Sequence, residues 1–267
     1  MWSDRNELSV QIEHLSNETL EESSRLVRSS LPSRLTPYMT QMQPEITNLW
    51  KISLRYPDVQ NDVTRLVAIV DDQVVGYVEW HRLSVDEAFL SNICVDANFR
   101  GRGVARRLIG DYIHEHREIA NIGLDVFTDN MKARKLYTWL GFSGGLVQHW
   151  FVRSIPNKVP GVRITNFPEA IAKLDAFGVT YLDVEWRGKT SRMGIIGGKT
   201  VNCDDIDSFC DAEMLSALRG SIPSLGNALL RTSKDLPVGC AVFATKINES
   251  VRLQAHAEQV RSALGDR

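Results

Sequence analysis

Hydrophobic and polar positions recur along the first 155 residues with the periods of both strands and helices. Near the start, Val10, Ile12 and His14 alternate with polar neighbours, which predicts a strand at 9–15. After Gly103 the apolar residues instead repeat every three or four positions, as on one face of a helix. Further strands are predicted at 65–70, 74–82, 89–95, 122–127 and 146–155, and further helices at 16–30, 44–54 and 131–140.

The rest of the chain follows a short segment with the composition of a linker. Residues 156–160 combine two prolines with Asn157 and Lys158. We therefore predict a first domain at 1–155 and a second, α+β domain at 161–267. In the second domain, strands are predicted at 162–165, 179–186, 192–201, 228–232 and 239–247, and helices at 168–177, 204–218 and 251–264.

Composition and charge narrow the classes of function. The 267 residues are 43% hydrophobic and 24% charged, as in ordinary globular proteins, and the net charge of −2 provides no basic field for nucleic acid or anionic membrane. No apolar run approaches the roughly 20 residues that cross a bilayer, and none resembles a secretory signal. The four cysteines are widely spaced and form no zinc motif (Cys94, Cys203, Cys210, Cys240). We therefore expect reduced buried thiols, no metal and a cytoplasmic location.

A basic, glycine-rich loop separates the strand at 89–95 from the following helix. It reads Arg100-Gly101-Arg102-Gly103-Val104-Ala105. The first turn of a helix presents unpaired backbone amides and a partial positive charge, and glycines let that backbone approach a phosphate closely. Arginines add forked donors for phosphate oxygens. The loop thus predicts a cradle for a pyrophosphate, with a solvated basic turn as the alternative.

This loop and a second motif resemble the GNAT superfamily, the Gcn5-related N-acetyltransferases. The signature Gln/Arg-x-x-Gly-x-Gly/Ala is matched by Arg100, Gly103 and Ala105. Downstream, residues 130–142 are similar to the family's Asn-x-x-Ala-x-x-Leu-Tyr-x-x-x-Gly-Phe segment. The resemblance covers roughly residues 10–155. It implies an α/β (α+β) fold with a mixed, mostly antiparallel sheet whose fourth and fifth strands splay apart.

The resemblance also implies acetyl-CoA as the cosubstrate, with its pantetheine arm between the splayed strands. The binding residues that it implies are Ile93, Cys94, Val95, Arg100, Gly101, Arg102, Gly103, Val104, Ala105, Asn130, Ala133 and Tyr137. One departure from the family follows Phe142. The family usually has two strands there, whereas only Ser143-Gly144-Gly145 precedes the last strand here. We therefore expect a very short penultimate strand and an altered wall at the acceptor side.

Four residues are candidates for catalysis. Helical spacing directs Tyr137 towards the sheet, and a phenol with a pKa near ~10 stays protonated, so it suits a general acid; packing alone is the alternative. For the base, we rank Asp125 first, then Glu87, then His81, against the alternative that each merely faces solvent. Phe89 stands where histone acetyltransferases of this superfamily carry a glutamate, which counts against a histone-type mechanism.

The expected function is direct transfer of acetyl from acetyl-CoA to a primary amine in a ternary complex. A small-molecule amine is slightly favoured over a protein N-terminus or lysine, and a non-catalytic acyl-CoA sensor is the other alternative. We expect no nucleic-acid or membrane partner and leave a homodimer open. For the second domain three roles remain: a dimerisation module, a lid over the acceptor site, or a degenerate second acyltransferase-like unit. The sequence disfavours the last, because no phosphate-loop motif follows a strand there.

Overall fold

The computed structural model of the protein describes residues 9–59, 62–157 and 161–265. Residues 158–160 of the predicted linker, and the outer ends of the two predicted domains, lie outside the described residues. Across the described part of the chain, twelve strands form one continuous sheet. The sheet therefore does not stop at the predicted linker.

The first half supplies one side of this sheet. Its strands are β1 (Gln11–His14), β2 (Val63–Val70), β3 (Gln73–Arg82), β4 (Glu87–Val95), β5 (Asn121–Phe127) and β6 (Ser143–Ser154), and its helices are α1 (Leu20–Ser29), α2 (Ile46–Arg55), α3 (Val104–Glu115) and α4 (Met131–Trp139). Strands β1 to β5 lie side by side in chain order, antiparallel except for β4 and β5.

The parallel strands β4 and β5 diverge along their length. They pair only as far as Leu90 and Leu124. At the point of divergence β4 contains a bulge, because Leu90 pairs with Trp80 and Asn92 pairs with Glu79, which leaves Ser91 as an extra residue. The expected mixed sheet with splayed fourth and fifth strands is confirmed, and the gap between them opens towards the start of α3.

The second half repeats the order of the strands and has helices between the corresponding pairs of strands. Its strands are β7 (Arg163–Ile164), β8 (Val179–Trp186), β9 (Lys189–Ile196), β10 (Thr200–Cys203), β11 (Asn227–Thr232) and β12 (Thr245–His256), and its helices are α5 (Phe167–Phe177), α6 (Ile206–Cys210), α7 (Ala212–Ser221), α8 (Val238–Ala241) and α9 (Ala257–Leu264). Strands β7 to β11 are neighbours in chain order, and only β10 and β11 are parallel. This topology supports the degenerate-unit hypothesis that the sequence alone disfavoured.

The two halves exchange strands at the centre of the sheet. Strand β12 lies between β5 and β6, and β6 lies between β12 and β11. The expectation of a very short penultimate strand is therefore wrong. Residues 143–154 form a single strand, and the last strand of the chain is the neighbour of β5. The sequence just after Phe142 does not reveal β12, because this neighbour of β5 and β6 lies about 100 residues further along the chain.

Two other predicted elements near the end of the chain are wrong. Residues 238–241, which overlap the start of the predicted strand at 239–247, form a short helix. Residues 251–256, within the predicted helix at 251–264, form the end of β12. Val251, Leu253 and Ala255 are buried at alternate positions, the period of a strand. Pairing with both β5 and β6 fixes that strand, and the helix begins only at Ala257.

The cysteine expectation is half wrong. Cys210, at the end of α6, and Cys240, in α8, form a disulfide with a Cα–Cα distance of 5.5 Å. Thirty residues separate them, and the fold brings them together although no short spacing in the sequence predicts it. Cys94 and Cys203 are free and buried, as expected. Among the described helices, none is long and apolar enough to cross a membrane.

The segment between α1 and α2 packs against the second half. It contains two short 3₁₀ turns, Ser33–Tyr38 and Thr40–Met42. The side-chain amide of Gln43 donates to the carbonyls of Thr36 (2.8 Å) and Met39 (3.0 Å), which fixes the path of the segment. A Cβ added at Gly197, which has φ +58°, would lie 2.3 Å from Gln43 Oε1. Because Gly197 has no Cβ, Gln43 and its segment can pack closely against the sheet.

Candidate active site

A cavity of about 880 Å³ passes through the gap between β4 and β5. One end lies at the loop before α3 and the first turns of α4, and the other is lined by the segment between α1 and α2 and by β6, β11 and β12. The cavity thus connects the two faces of the sheet. A bound molecule of elongated shape fits such a passage better than a compact one does.

The first end is built from the glycine-rich loop. Gly101 (φ +78°) and Gly103 (φ +85°) adopt left-handed conformations that other residues rarely take, and helix α3 begins at Val104. Within the described chain, the backbone amides of residues 101–105 have no hydrogen-bond acceptor. Because these amides are unpaired at a helix start, they fit the oxygens of a pyrophosphate.

Most of the residues implied for cofactor binding line this cavity. They are Ile93, Cys94, Val95, Arg100, Gly101, Gly103, Ala105, Asn130, Ala133 and Tyr137. The exceptions are Arg102, whose guanidinium lies 5.7 Å from the Phe99 ring centre, and Val104, which is buried in the core. For these two residues only the backbone remains a candidate for phosphate contact. Asn130 also caps α4, since its side-chain oxygen accepts from Ala133 N at 3.2 Å.

Positive charge is concentrated at the same end. Arg106, Lys132 and Lys135 line the cavity beside Arg100. The guanidinium of Arg106 is held over the ring of Trp139 at 5.3 Å. A ligand with several phosphates is favoured by this group of cations.

Tyr137 lies in the cavity wall between the two ends. Its side chain is buried, and its ring packs edge-on against Phe142 at 5.7 Å. Burial raises the pKa of Tyr137 well above its usual value. The hydroxyl of Tyr137 therefore carries a proton at neutral pH.

Cys94 lines the cavity but does not have the character of a nucleophile. Burial raises the pKa of its thiol to about 12, and the nearby Arg100 lowers it only in part. The thiolate is the reactive form of cysteine, and it is scarce at neutral pH when the pKa is so high. A covalent acyl-enzyme on Cys94 is therefore disfavoured.

Asp125 is the predicted base that lines the cavity, but both of its oxygens are engaged. Arg252, opposite it on β12, donates from Nε to Oδ1 at 2.5 Å and from Nη2 to Oδ2 at 2.8 Å. The hydrogen bond to Asp125 raises the pKa of Arg252, and the guanidinium also lies 4.8 Å from the Phe89 ring centre. The carboxylate of Asp125 is thus held in a bidentate pair with Arg252 and is not left free in the cavity.

The other two predicted bases lie outside the residues that line the cavity. Glu87 is exposed at the start of β4 and pairs across the sheet with Asn121. His81 Nε2 lies 3.0 Å from Oε1 of Glu79, a mostly buried carboxylate. The structure therefore brings Tyr137 and Asp125 into one cavity but does not add Glu87 or His81 to it.

The second end of the cavity contains residues that the sequence did not single out. They are Met39, Gln41, Phe127, Trp150, Arg231 and Ser250. They come from segments up to about 210 residues apart and are brought together by the exchanged strands. Since none of them belongs to a motif, no local signal could have identified them.

The second half does not repeat the cradle. Where β10 ends, the chain continues with Asp204 and Asp205, and Asp205 caps the short helix α6 by accepting from Ser208 N at 2.7 Å. Acidic residues at this position repel phosphate, whereas arginines flank the loop of the first half. In the described part of the chain no cluster of three or more His, Cys, Asp or Glu side chains has the geometry of a metal site.

Comparison with known sequences places a family match over the first half. Residues 24–142 match the model of the Acetyltransferase (GNAT) family. An uncharacterized protein of Mycobacterium leprae (strain TN) is 40% identical over 74 residues, which is 27% of this chain and 20% of that protein. The chain thus matches about a fifth of the length of this curated relative.

Comparison with solved structures extends the likeness to both halves. A tandem GNAT protein from the clavulanic acid biosynthesis pathway superposes with a TM-score of 0.64 at 12% identity, over 93% of this chain and 99% of that one. A structure from Pyrococcus horikoshii superposes with a TM-score of 0.59 at 16% identity, over 96% of this chain and 93% of that one. At such identities the likeness is one of fold.

Proposed function

We propose that the chain transfers acetyl from acetyl-CoA directly to a small primary amine. The premise is that residues 24–142 match the acetyltransferase (GNAT) family, whose members are N-acetyltransferases. The observation that carries the proposal is the single cavity that joins the unpaired amides before α3 to the hydroxyl of Tyr137. The first half supplies the cofactor site, and both halves supply the acceptor wall.

The residues of the first end fit the parts of coenzyme A. The backbone amides of residues 101–105 hold the pyrophosphate of coenzyme A. The side chains of Arg106, Lys132 and Lys135 bind its 3′-phosphate. Ile93 and Val95 lie on β4 beyond the point where β5 departs, so their backbone groups are available to amides of the pantetheine arm. This arrangement aims the thioester along the gap towards Tyr137.

Acetyl-CoA supplies an activated acyl carbon and a thiolate leaving group. The hydroxyl of Tyr137 donates a proton to the departing sulfur, because burial keeps it protonated. Both oxygens of Asp125 are taken by Arg252, so we do not retain Asp125 as an efficient base. The amine then reacts from its neutral form, and kcat/KM rises with pH as the neutral fraction grows.

The shape of the acceptor end supports a small amine over a protein lysine. Strands β6, β11 and β12 and the segment between α1 and α2 all line that end. Trp150 Nε1 donates to Ser250 Oγ at 3.0 Å in a buried contact that ties β6 to β12. A wall contributed by both halves leaves a compartment for a small molecule.

Two measurements test the proposal. Calorimetry of the full chain with coenzyme A should show binding, and an amine panel with acetyl-CoA should show transfer. Tyr137→Phe should lower kcat about 100-fold without changing the Kd of acetyl-CoA, because general acids typically contribute 10²–10⁴. The matched control is Tyr112→Phe, another buried tyrosine, which lies outside the residues lining the cavity. Absence of coenzyme A binding refutes the function, and unchanged kcat in Tyr137→Phe removes the general acid.

A further inference from the structure

At the acceptor end of the cavity, one positive charge has no negative partner. Among the described residues that line the cavity, Asp125 is the single carboxylate, and its negative charge is neutralised by Arg252. Arg231, on β11, lines the acceptor end with an exposed side chain, and its guanidinium makes no hydrogen bond or ion pair with the side chain or backbone of a described residue. Counted over the described lining residues, the acceptor end therefore presents one unneutralised cation and no unneutralised anion.

The guanidinium of Arg231 is positioned by stacking. It lies over the ring of Trp150 at 5.3 Å from the centroid, and the two residues are directly opposite in the β6–β11 ladder. Trp150 is itself fixed, since its indole nitrogen bonds Ser250 and its ring meets Phe127 edge-on at 5.3 Å. Stacking uses the face of the guanidinium and leaves its edge donors free.

This chemistry selects against a second cation on the acceptor. A diamine or polyamine would bring another ammonium to the end occupied by Arg231, where no free carboxylate compensates. A carboxylate instead accepts two parallel hydrogen bonds from the forked donors of a guanidinium. The aromatic rings of Trp150 and Phe127 supply apolar surface beside that charge.

We propose that the acceptor is a small amine that also carries a carboxylate, and that Arg231 binds this carboxylate while the amino group faces the thioester. The inference rests on the proposed acetyltransferase function and names the substrate class of the same site. The neutral amine nitrogen attacks the acetyl carbon and forms the new carbon–nitrogen bond. The carbon–sulfur bond breaks with its electron pair on sulfur, Tyr137 protonates that sulfur, and the nitrogen gives up a proton to solvent, from which Tyr137 is reprotonated. The products are an N-acetyl amino acid and coenzyme A. The carboxylate takes no part in the bond changes.

The test compares amines that differ only in the carboxylate. α-Amino acids, their carboxamides and their decarboxylated amines are assayed with acetyl-CoA and the full chain, and a short peptide with an amidated end represents protein acceptors. We expect kcat/KM to be at least tenfold higher for the best amino acid than for its amide. Arg231→Gln should lower kcat/KM for that amino acid at least tenfold and leave the amide unchanged.

A matched control is available in the second half. Arg192 also lies over an aromatic ring, that of Tyr181 at 4.9 Å, but neither residue lines the cavity. Arg192→Gln should therefore leave the preference intact. Binding of coenzyme A, measured in every variant, reports on the proposed function independently of the acceptor.

The outcomes separate the two proposals. If the unmodified chain does not bind coenzyme A, the proposed acetyltransferase function is refuted. Retained binding with no transfer to any carboxylate-bearing amine, or with equal or better transfer to amides, diamines or the peptide, overturns the assignment of the acceptor alone. An unchanged amino acid to amide ratio in Arg231→Gln removes Arg231 from recognition.

Discussion

The carboxylate of Glu79 offers a quantitative test of how the acceptor wall is supported. Arg65 Nε and Tyr77 Oη donate to Glu79 Oε2 at 2.7 and 3.0 Å, and His81 Nε2 is 3.0 Å from Oε1. Trp50 of α2 stacks on Tyr77 at 5.3 Å, so this cluster holds α2, and with it the segment that lines the acceptor end, against the sheet.

The pKa of Glu79 gives the contribution of its carboxylate to the free energy of unfolding. Burial raises this pKa, but the hydrogen bond from His81 and the charge of Arg65 outweigh burial and lower the pKa from 4.5 to about 2. A pKa that is lower in the folded state stabilises the fold above pH 4.5, and this stability is lost as the pH falls towards 2. The shift corresponds to about 3 kcal/mol, of which roughly 2 kcal/mol is lost by pH 3.

The perturbation is Glu79→Gln, and the assay is urea unfolding of both proteins at pH 7 and at pH 3. Glutamine does not titrate, so the stability difference between the two proteins should shrink by roughly 2 kcal/mol at pH 3. The other carboxylates titrate in both proteins, so their effect on stability cancels when the two free energies of unfolding are subtracted. Glu185→Gln, in an exposed pair with Arg163 at 2.9 Å, serves as the control and should change stability by less than about 1 kcal/mol at either pH. A difference for Glu79→Gln that is the same at both pH values would falsify the argument.

Two further substitutions test the cofactor cradle and the disulfide. Gly103→Val puts a side chain on a residue with φ +85°, at a cost of about 1–2 kcal/mol, and should raise the KM for acetyl-CoA about tenfold; Gly145→Ala, which meets nothing within 4 Å, should not. An unchanged KM in the valine variant would show that the loop tolerates a side chain. Cys210→Ser should lower the free energy of unfolding by about 3 kcal/mol, since the bond to Cys240 closes a 30-residue loop, and should leave transfer intact. Equal urea midpoints for the variant and the unmodified chain would contradict this.

Sequence reasoning located the residues that line the first end of the cavity because they lie in contiguous segments. The cradle at 100–105 and the segment 130–142 each lie within one strand–helix connection, so their chemistry is visible in the order of residues. The same holds for the elements of the first half, whose periodicity matches the observed helices and strands. Burial and pairing then add what spacing cannot give, such as the shielding of Tyr137 and the engagement of Asp125 by Arg252.

Sequence reasoning failed where residues that contact each other in the fold are distant in the chain. The residue opposite Asp125 is 127 positions away, and the residue opposite Trp150 lies in another predicted domain. Residues 251–256 have apolar positions that suit a strand as well as the start of a helix, and only the neighbours β5 and β6 decide between them. No property of these segments alone contains that information.

The exchange of β6 and β12 explains why a family match that ends at residue 142 describes only part of the site. In our proposal the cofactor binds to the first half, where arginines and glycines precede α3, whereas the corresponding place in the second half begins with Asp204 and Asp205. Yet β12 provides Ser250, and β11 provides Arg231, to the same cavity. The second half thus shares the strand topology of the first half, and it contributes residues to one end of the cavity. If our proposal holds, substitutions in the second half can change the acceptor without disturbing the residues assigned to coenzyme A in the first half.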